Sequence, residues 1–130
     1  MHPFRRAVEA GDAEAIEGLL ADDAVFTSPV AFKPYHGKAI TAAIVRGAGR
    51  VFQDLRYVRE IVSVDGRDHA LMFEATVNGR QVHGCDFLHL DEEGLIDDLT
   101  VMVRPLSGAN ALAEAMAAQF ERIEREALSS

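Results

Sequence analysis

One carboxyl group sits where a strand should have only hydrocarbon. Alternation along a strand sends every second side chain to the same face, so in the stretch 82–90 Val82, Gly84, Asp86, Leu88 and Leu90 share one face. Gln81, His83, Cys85, Phe87 and His89 share the other. The first set is apolar apart from Asp86 and reads as the interior face. Aspartate is a poor strand former and costly to bury without a partner. Burial raises a carboxyl pKa, so Asp86 is expected to be protonated near neutral pH. A neutral carboxylic acid can donate a hydrogen bond to a carbonyl or to a developing oxyanion. The plainer reading of the same position is an aspartate satisfied by a tyrosine, a backbone amide or water.

The other chemistry-bearing residues are weaker candidates. His83 and His89 alternate on one face, but no third ligand stands at a convincing spacing, so no metal site is expected. Cys85 is the single cysteine, which excludes an intrachain disulfide and reads as a small, half-buried residue. Ser28 lacks the elbow and fixed base that a nucleophilic serine needs. Gly47 and Gly49 fall inside a helical pattern with no strand before them, so they form no phosphate loop, and no cofactor is expected. Asp22 and Asp23 read as turn residues, Asp97 and Asp98 follow a turn, and Arg104 reads as an ion-pairing residue.

These residues need elements to hold them. Pro3 suits a first helical position and Gly11 the stop after it. Asp12 can cap a second short helix, with Ile16, Leu19 and Leu20 pointing inward. Asp22-Asp23 is expected to close that helix and lead into a short strand over 24–28, which Pro29 ends. Residues 30–37 read as a loop. Ile40, Ile44, Val45, Ala48, Val51 and Phe52 recur at helical spacing, and Gly47 and Gly49 in that helix invite close packing. Strands are expected over 57–64, 69–77, 82–90 and 95–104, with turns at Asp65-Gly66, Asn78-Gly79 and 91–94. Pro105 ends the last strand. Leu112, Met116, Phe120, Ile123 and Ala127 then form one face of a final amphipathic helix.

Size and charge set the outer bounds. The 130 residues fit one domain spanning 1–130, with 48% hydrophobic and 26% charged residues. A formal net charge of −8 disfavours nucleic acid and anionic membranes as partners, since both need basic patches. No apolar run approaches the roughly 20 residues that span a bilayer, and the N-terminus lacks the apolar segment of a signal peptide. A cytoplasmic location is the expectation.

The order of helix, helix, short strand, helix and four-strand meander resembles the nuclear transport factor 2-like superfamily. Particular words carry the likeness: Gly11-Asp12, then Leu19-Leu20-Ala21-Asp22-Asp23-Ala24-Val25-Phe26, Ser28-Pro29 and Tyr35-His36-Gly37. Asn78-Gly79, Asp86 and Asp91-Glu92-Glu93-Gly94-Leu95-Ile96 complete it, so that about residues 4–104 are covered. The superfamily includes ketosteroid isomerases, SnoaL-like polyketide cyclases, epoxide hydrolases and binding domains. The resemblance implies an α+β fold: a curved antiparallel sheet forming a cone, closed by N-terminal helices, with a C-terminal helix.

It also implies a pocket inside the cone. Strand parity then nominates Phe26, Ser28, Leu71, Phe73, Leu88, Leu99, Val101 and Val103 as its wall, with Tyr35 and His36 on the closing loop. Such a wall suits a small apolar organic ligand with one or two oxygens. By the same resemblance Asp86 matches the isomerases' protonated acid, a pattern that is a standard case of pKa tuning. Ser28 matches the carboxylate base of those enzymes and Phe4 their tyrosine, so two of the three catalytic groups are missing. His36 is the best substitute base.

The leading expectation is a ligand-binding cone anchored by Asp86. A SnoaL-like cyclase or isomerase using Asp86 as acid and His36 as base is the enzymatic alternative. A protein-interaction adaptor using the outer sheet face is the third. Phe87, Cys85 and Met102 make that face apolar enough to expect a homodimer.

Overall fold

A computed structural model describes residues 2–129. The chain runs α1 (Pro3–Ala10), α2 (Ala13–Gly18), β1 (Leu20–Thr27), β2 (Tyr35–His36), α3 (Lys38–Val51), β3 (Gln53–Val62), β4 (Asp68–Val77), β5 (Arg80–Leu90), β6 (Ile96–Arg104) and α4 (Leu106–Leu128). Local chemistry explains the boundaries. Gly11 closes α1 at φ 66°, a left-handed conformation that costs glycine little. The Asp12 side chain accepts from the Ala15 amide at 3.1 Å and caps α2. Asn78 and Gly79, at φ 48° and 79°, make the tight turn between β4 and β5.

Six strands form one sheet in the order β2-β1-β6-β5-β4-β3. Strands β3 to β6 are the expected antiparallel meander, and β1 joins it parallel to β6. The curved, unclosed sheet with helices on its concave side makes an α+β fold. Leu71, Phe73, Ala75 and Val77 of β4 face the same interior as Val82, Gly84, Asp86 and Leu88 of β5. Each large apolar side chain buried there contributes roughly 1.5–3 kcal/mol.

Two expectations for the segment 19–37 need correction. Asp22 and Asp23 do not close a helix: α2 ends at Gly18, and both aspartates are exposed residues inside β1. Leu20, Ala21 and Ala24 are buried around them, and Leu20 pairs with Ile96, so burial draws the segment into the sheet despite its acids. The stretch 30–37 is not wholly loop either, since Tyr35 and His36 pair with Phe26 and Val25.

Helix α3 and helix α4 pack closely because Gly47 has no side chain. A Cβ at Gly47 would come within 2.5 Å of Ile123 Cδ1, and Ile123 is fully buried there. Gly49 meets nothing within 4 Å and plays no such part. At the other end of the sheet, His2 Nδ1 accepts from the Phe4 amide and the His2 amide donates to Glu60 of β3, each at 3.0 Å. These bonds fasten α1 to the sheet, and Phe4 is buried behind them.

Candidate functional site

The concave face of the sheet and the helices over it enclose a cavity of about 490 Å³. Its wall draws on almost every element. Phe4 comes from α1, Ile16 from α2, Phe26 from β1, Val45 from α3, Tyr57 from β3 and Phe73 from β4. Asp86 comes from β5, Leu99 and Val101 from β6, and Leu112, Met116 and Phe120 from α4. The lining is overwhelmingly hydrocarbon, and Asp86 is the sole acid among the described residues that form it.

Asp86 is 7% exposed and bonded to one group. The Tyr57 hydroxyl donates to Asp86 Oδ2 at 2.6 Å. The register explains the meeting: Tyr57 pairs with Phe73 and Asp86 with Leu71, residues two apart on the inner face of β4. Burial pushes the Asp86 carboxyl up to about 7, while the bond from Tyr57 works against that rise. Tyr57 is pushed well above the ordinary phenol range by burial first, then by the neighbouring Asp86. Tyr57 therefore remains a hydroxyl donor. With Tyr57 held on Oδ2, Asp86 Oδ1 has no hydrogen-bond partner among the described residues and can carry a proton toward the cavity.

An aromatic stack steadies this pair. Phe73 meets Tyr57 edge-on at 5.9 Å and Phe52 at 5.3 Å. The Arg5 guanidinium stands 5.9 Å from the Tyr57 ring centroid and donates to the Tyr57 carbonyl at 3.1 Å.

The remaining nominated residues divide. Phe26, Ser28, Tyr35, Phe73, Asp86, Leu99 and Val101 line the cavity. Leu71 and Leu88 are buried beside it and Val103 is half-buried against the core, but none of the three forms its wall, because strand parity selects a face and not a depth along it. His36 is exposed at the outer edge of β2 and is absent from the lining, since pairing with Val25 turns it away while Tyr35 points in. Ser28 Oγ accepts from the Val30 and Ala31 amides at 3.1 and 3.3 Å, so it shapes the loop that follows. Phe4 lines the cavity as a buried hydrocarbon.

Sequence reasoning missed Tyr57 and the α4 residues. The Leu112, Met116, Phe120 stripe was legible as a packing face, but its second role as cavity wall was not. Tyr35 touches both sides of that arrangement, with ring centroids 6.4 Å from Phe26 and 5.6 Å from Phe120.

Among the described residues no group of three or more histidine, cysteine or acidic side chains is placed to hold a metal ion. No helix of the described chain is long and apolar enough to cross a membrane.

A SnoaL-like domain family matches residues 2–99, so the chain belongs to the SnoaL-like family of the nuclear transport factor 2-like superfamily. A steroid delta-isomerase from Pseudomonas aeruginosa is 38% identical, with a TM-score of 0.88 over 92% of this chain and 88% of that one. An uncharacterised bacterial protein with a cystatin-like fold from Silicibacter pomeroyi DSS-3 is 34% identical, with a TM-score of 0.85 over 97% and 95% of the two chains. The epoxide hydrolase/cyclase-like enzyme SalBIII, which acts in pyran ring formation in the polyether salinomycin, shares the fold at 21% identity, with a TM-score of 0.65 over 82% and 88%. No match is found among the curated proteins.

Proposed function

We propose that this chain binds a small, mostly apolar organic molecule inside the cone, with a ligand oxygen anchored by Asp86. The observation that supports the reading is the buried Tyr57–Asp86 hydrogen bond on the wall of a mostly apolar cavity of about 490 Å³. Such a cavity draws in hydrocarbon by burial and fixes its orientation through a few placed polar groups. A ketone or phenol oxygen answers best to a protonated Asp86. The test is calorimetric titration of wild type and Asp86→Asn with apolar ketones and phenols. Wild type is expected to bind at least one class and the variant to bind it at least about tenfold more weakly, a loss of about 1.4 kcal/mol. Equal affinity in both proteins would remove Asp86 as the anchor.

A second reading is catalysis with Asp86 as a single acid–base group. Its support is a carboxyl pKa of about 7, together with 38% identity to the steroid delta-isomerase. Direct proton transfer between two side chains is not favoured, since Ser28 is occupied by loop amides and His36 is exposed. One carboxyl group would then both take and return the proton. Here the Asp86→Asn variant should lose turnover while keeping affinity for the bound ligand.

A further inference from the structure

The cavity is apolar except in two places, and the second is cationic. Arg46 and Arg50 of α3 both line it, and Arg46 also lines a neighbouring surface hollow with Arg122, Arg125, Glu126 and Ser129. The same arginine therefore borders the hydrocarbon interior and the polar hollow outside.

The ion pairs leave this cluster unequal. Arg50 is committed: its Nε donates to Gln119 Oε1 at 2.7 Å and its Nη2 to Glu126 Oε1 at 2.9 Å. Arg46 Nη1 stands 3.6 Å from Glu126 Oε2 and Arg122 Nε 3.9 Å from Glu126 Oε1, both too long for hydrogen bonds. Arg125 Nη1 stands 3.8 Å from Glu121. Burial works to raise the Glu126 pKa, but Arg50, Arg46 and Arg122 outweigh it and hold the group below its ordinary value, so it stays ionised. Among the described residues, the ion pairs here set four arginines, Arg46, Arg50, Arg122 and Arg125, against Glu121 and Glu126.

Part of the cluster has a structural use. Arg50, Gln119 and Glu126 clamp α3 to α4, and Arg125 complements the C-terminal end of the α4 dipole. Arg46 is different, because its side chain is only 28% exposed and it makes no hydrogen bond within the described chain. Guanidinium groups are planar forks of donors that fit carboxylate and phosphate oxygens.

We propose that Arg46, with Arg122 and Arg125, receives the anionic end group, a carboxylate or a phosphate, of a ligand whose apolar body lies in the cavity. The inference rests on the cavity being a ligand site. It adds a second anchor to that ligand: an apolar body that meets Asp86 on the sheet, and an anionic head at the crossing of α3 and α4.

The experiment is calorimetric titration with three probes of one chain length: decanoate, decyl phosphate and 1-decanol. Wild type is expected to bind at least one of the two anions about tenfold more tightly than decanol, a difference of about 1.4 kcal/mol. That preference should shrink at ~0.5 M salt, where screening shortens to a few ångströms. Arg46→Gln should abolish the preference, weakening the anions about tenfold more than it weakens decanol. Glu126→Gln, which removes a competing carboxylate, should keep or increase it, and it reports separately on whether loosening the α3–α4 clamp alone harms binding. Which anion gains more assigns the head group as carboxylate or phosphate. Equal binding of all three probes, or an Arg46→Gln variant that weakens decanol as much as the anions, would overturn the anion site and leave the cavity reading standing. If no probe binds wild type while an apolar ketone or phenol does, the anion site falls and the cavity reading stands; if those fail too, the cavity reading falls with it.

Discussion

Gly84 lies directly beneath the Phe73 ring, where a Cβ would come within 2.1 Å of Phe73 Cζ. The two residues pair across β4 and β5, so the ring leans over the neighbouring strand instead of standing upright. That tilt brings Phe73 edge-on to Tyr57, the residue that donates to Asp86. The missing methyl group at one position thereby sets the ring that supports the polar pair.

Replacing Gly84 with alanine should therefore act on both stability and site. Overpacking of a filled core costs roughly 1–3 kcal/mol, and here the ring has Phe52 and Tyr57 against it and little room to retreat. Urea unfolding should register that loss, and the Asp86 titration should shift as Tyr57 is displaced. A variant as stable as wild type, with an unmoved carboxyl, would mean the strand absorbs the methyl group without moving the ring.

The Tyr57–Asp86 bond predicts the direction of a titration. Because the bond lowers the Asp86 pKa against the rise that burial causes, Tyr57→Phe should move that pKa above about 7. Stability should fall by about 1–3 kcal/mol, the usual cost of stranding a buried polar partner. Carbon-detected NMR of the labelled carboxyl group reads the first effect and denaturant unfolding the second. A downward shift would contradict the assigned role of the hydroxyl.

The pH dependence of stability has a definite sign. Asp86 in the folded chain holds its proton up to about 7, whereas an unfolded aspartate releases it near 3.9. Between those values the folded state binds more protons, so this group makes stability fall as pH rises. Asp86→Asn removes the term. The stability difference between wild type and variant should therefore drift against wild type from pH 4 to 7 and level off above. Parallel unfolding curves at every pH would show that the carboxyl group is not shifted.

The sequence made Asp86 legible and Tyr57 not, for reasons of strand regularity. Strand β5 pairs with β6 without interruption from His83 to His89, so simple alternation places Asp86 with Val82 and Leu88. Strand β3 is broken by register shifts between Gln53 and Arg56 and again between Tyr57 and Arg59, with Asp54 at φ 54°. Parity cannot be carried through such irregularities, so Tyr57 could not be assigned a face. The expected strand began at Tyr57, whereas pairing begins at Gln53. The α4 stripe was readable as a face because four-residue spacing states which residues share a side. It says nothing about what lies beneath that side. The arginine cluster was invisible for a similar reason, since Arg46 of α3 approaches Glu126, which Arg122 also approaches, only once α3 and α4 are packed together.

That packing yields its own test. Ile123→Ala should cost about 2–5 kcal/mol through the cavity it leaves, and because the contact is with α3, the loss should appear first where α4 covers the site. Hydrogen exchange should accelerate in 112–123 while β4 and β5 keep their protection. Uniform acceleration across the sheet would mean that α4 and the sheet unfold as one unit.

The outer face of the sheet is expected to meet a second copy of the chain. Ladder neighbours place Met72, Cys85 and Met102 in one row and Ala70, Phe87 and Thr100 in the next, with Ile61 beside Ala70. Phe87 is 42% and Met102 59% exposed, a costly face to leave in water. The row toward one end holds Arg56, Glu74, His83 and Arg104, and the row toward the other holds Asp68, His89 and Asp98. A two-fold axis running across the strands lays the arginine end of one copy over the aspartate end of the other, so apolar and charged parts are both self-complementary. Sedimentation should give a dimer at micromolar concentration, and Phe87→Glu with Met102→Glu should convert it to a folded monomer. A wild-type chain that sediments as a monomer would remove this interface, while a dimer that survives both substitutions would move it to another face.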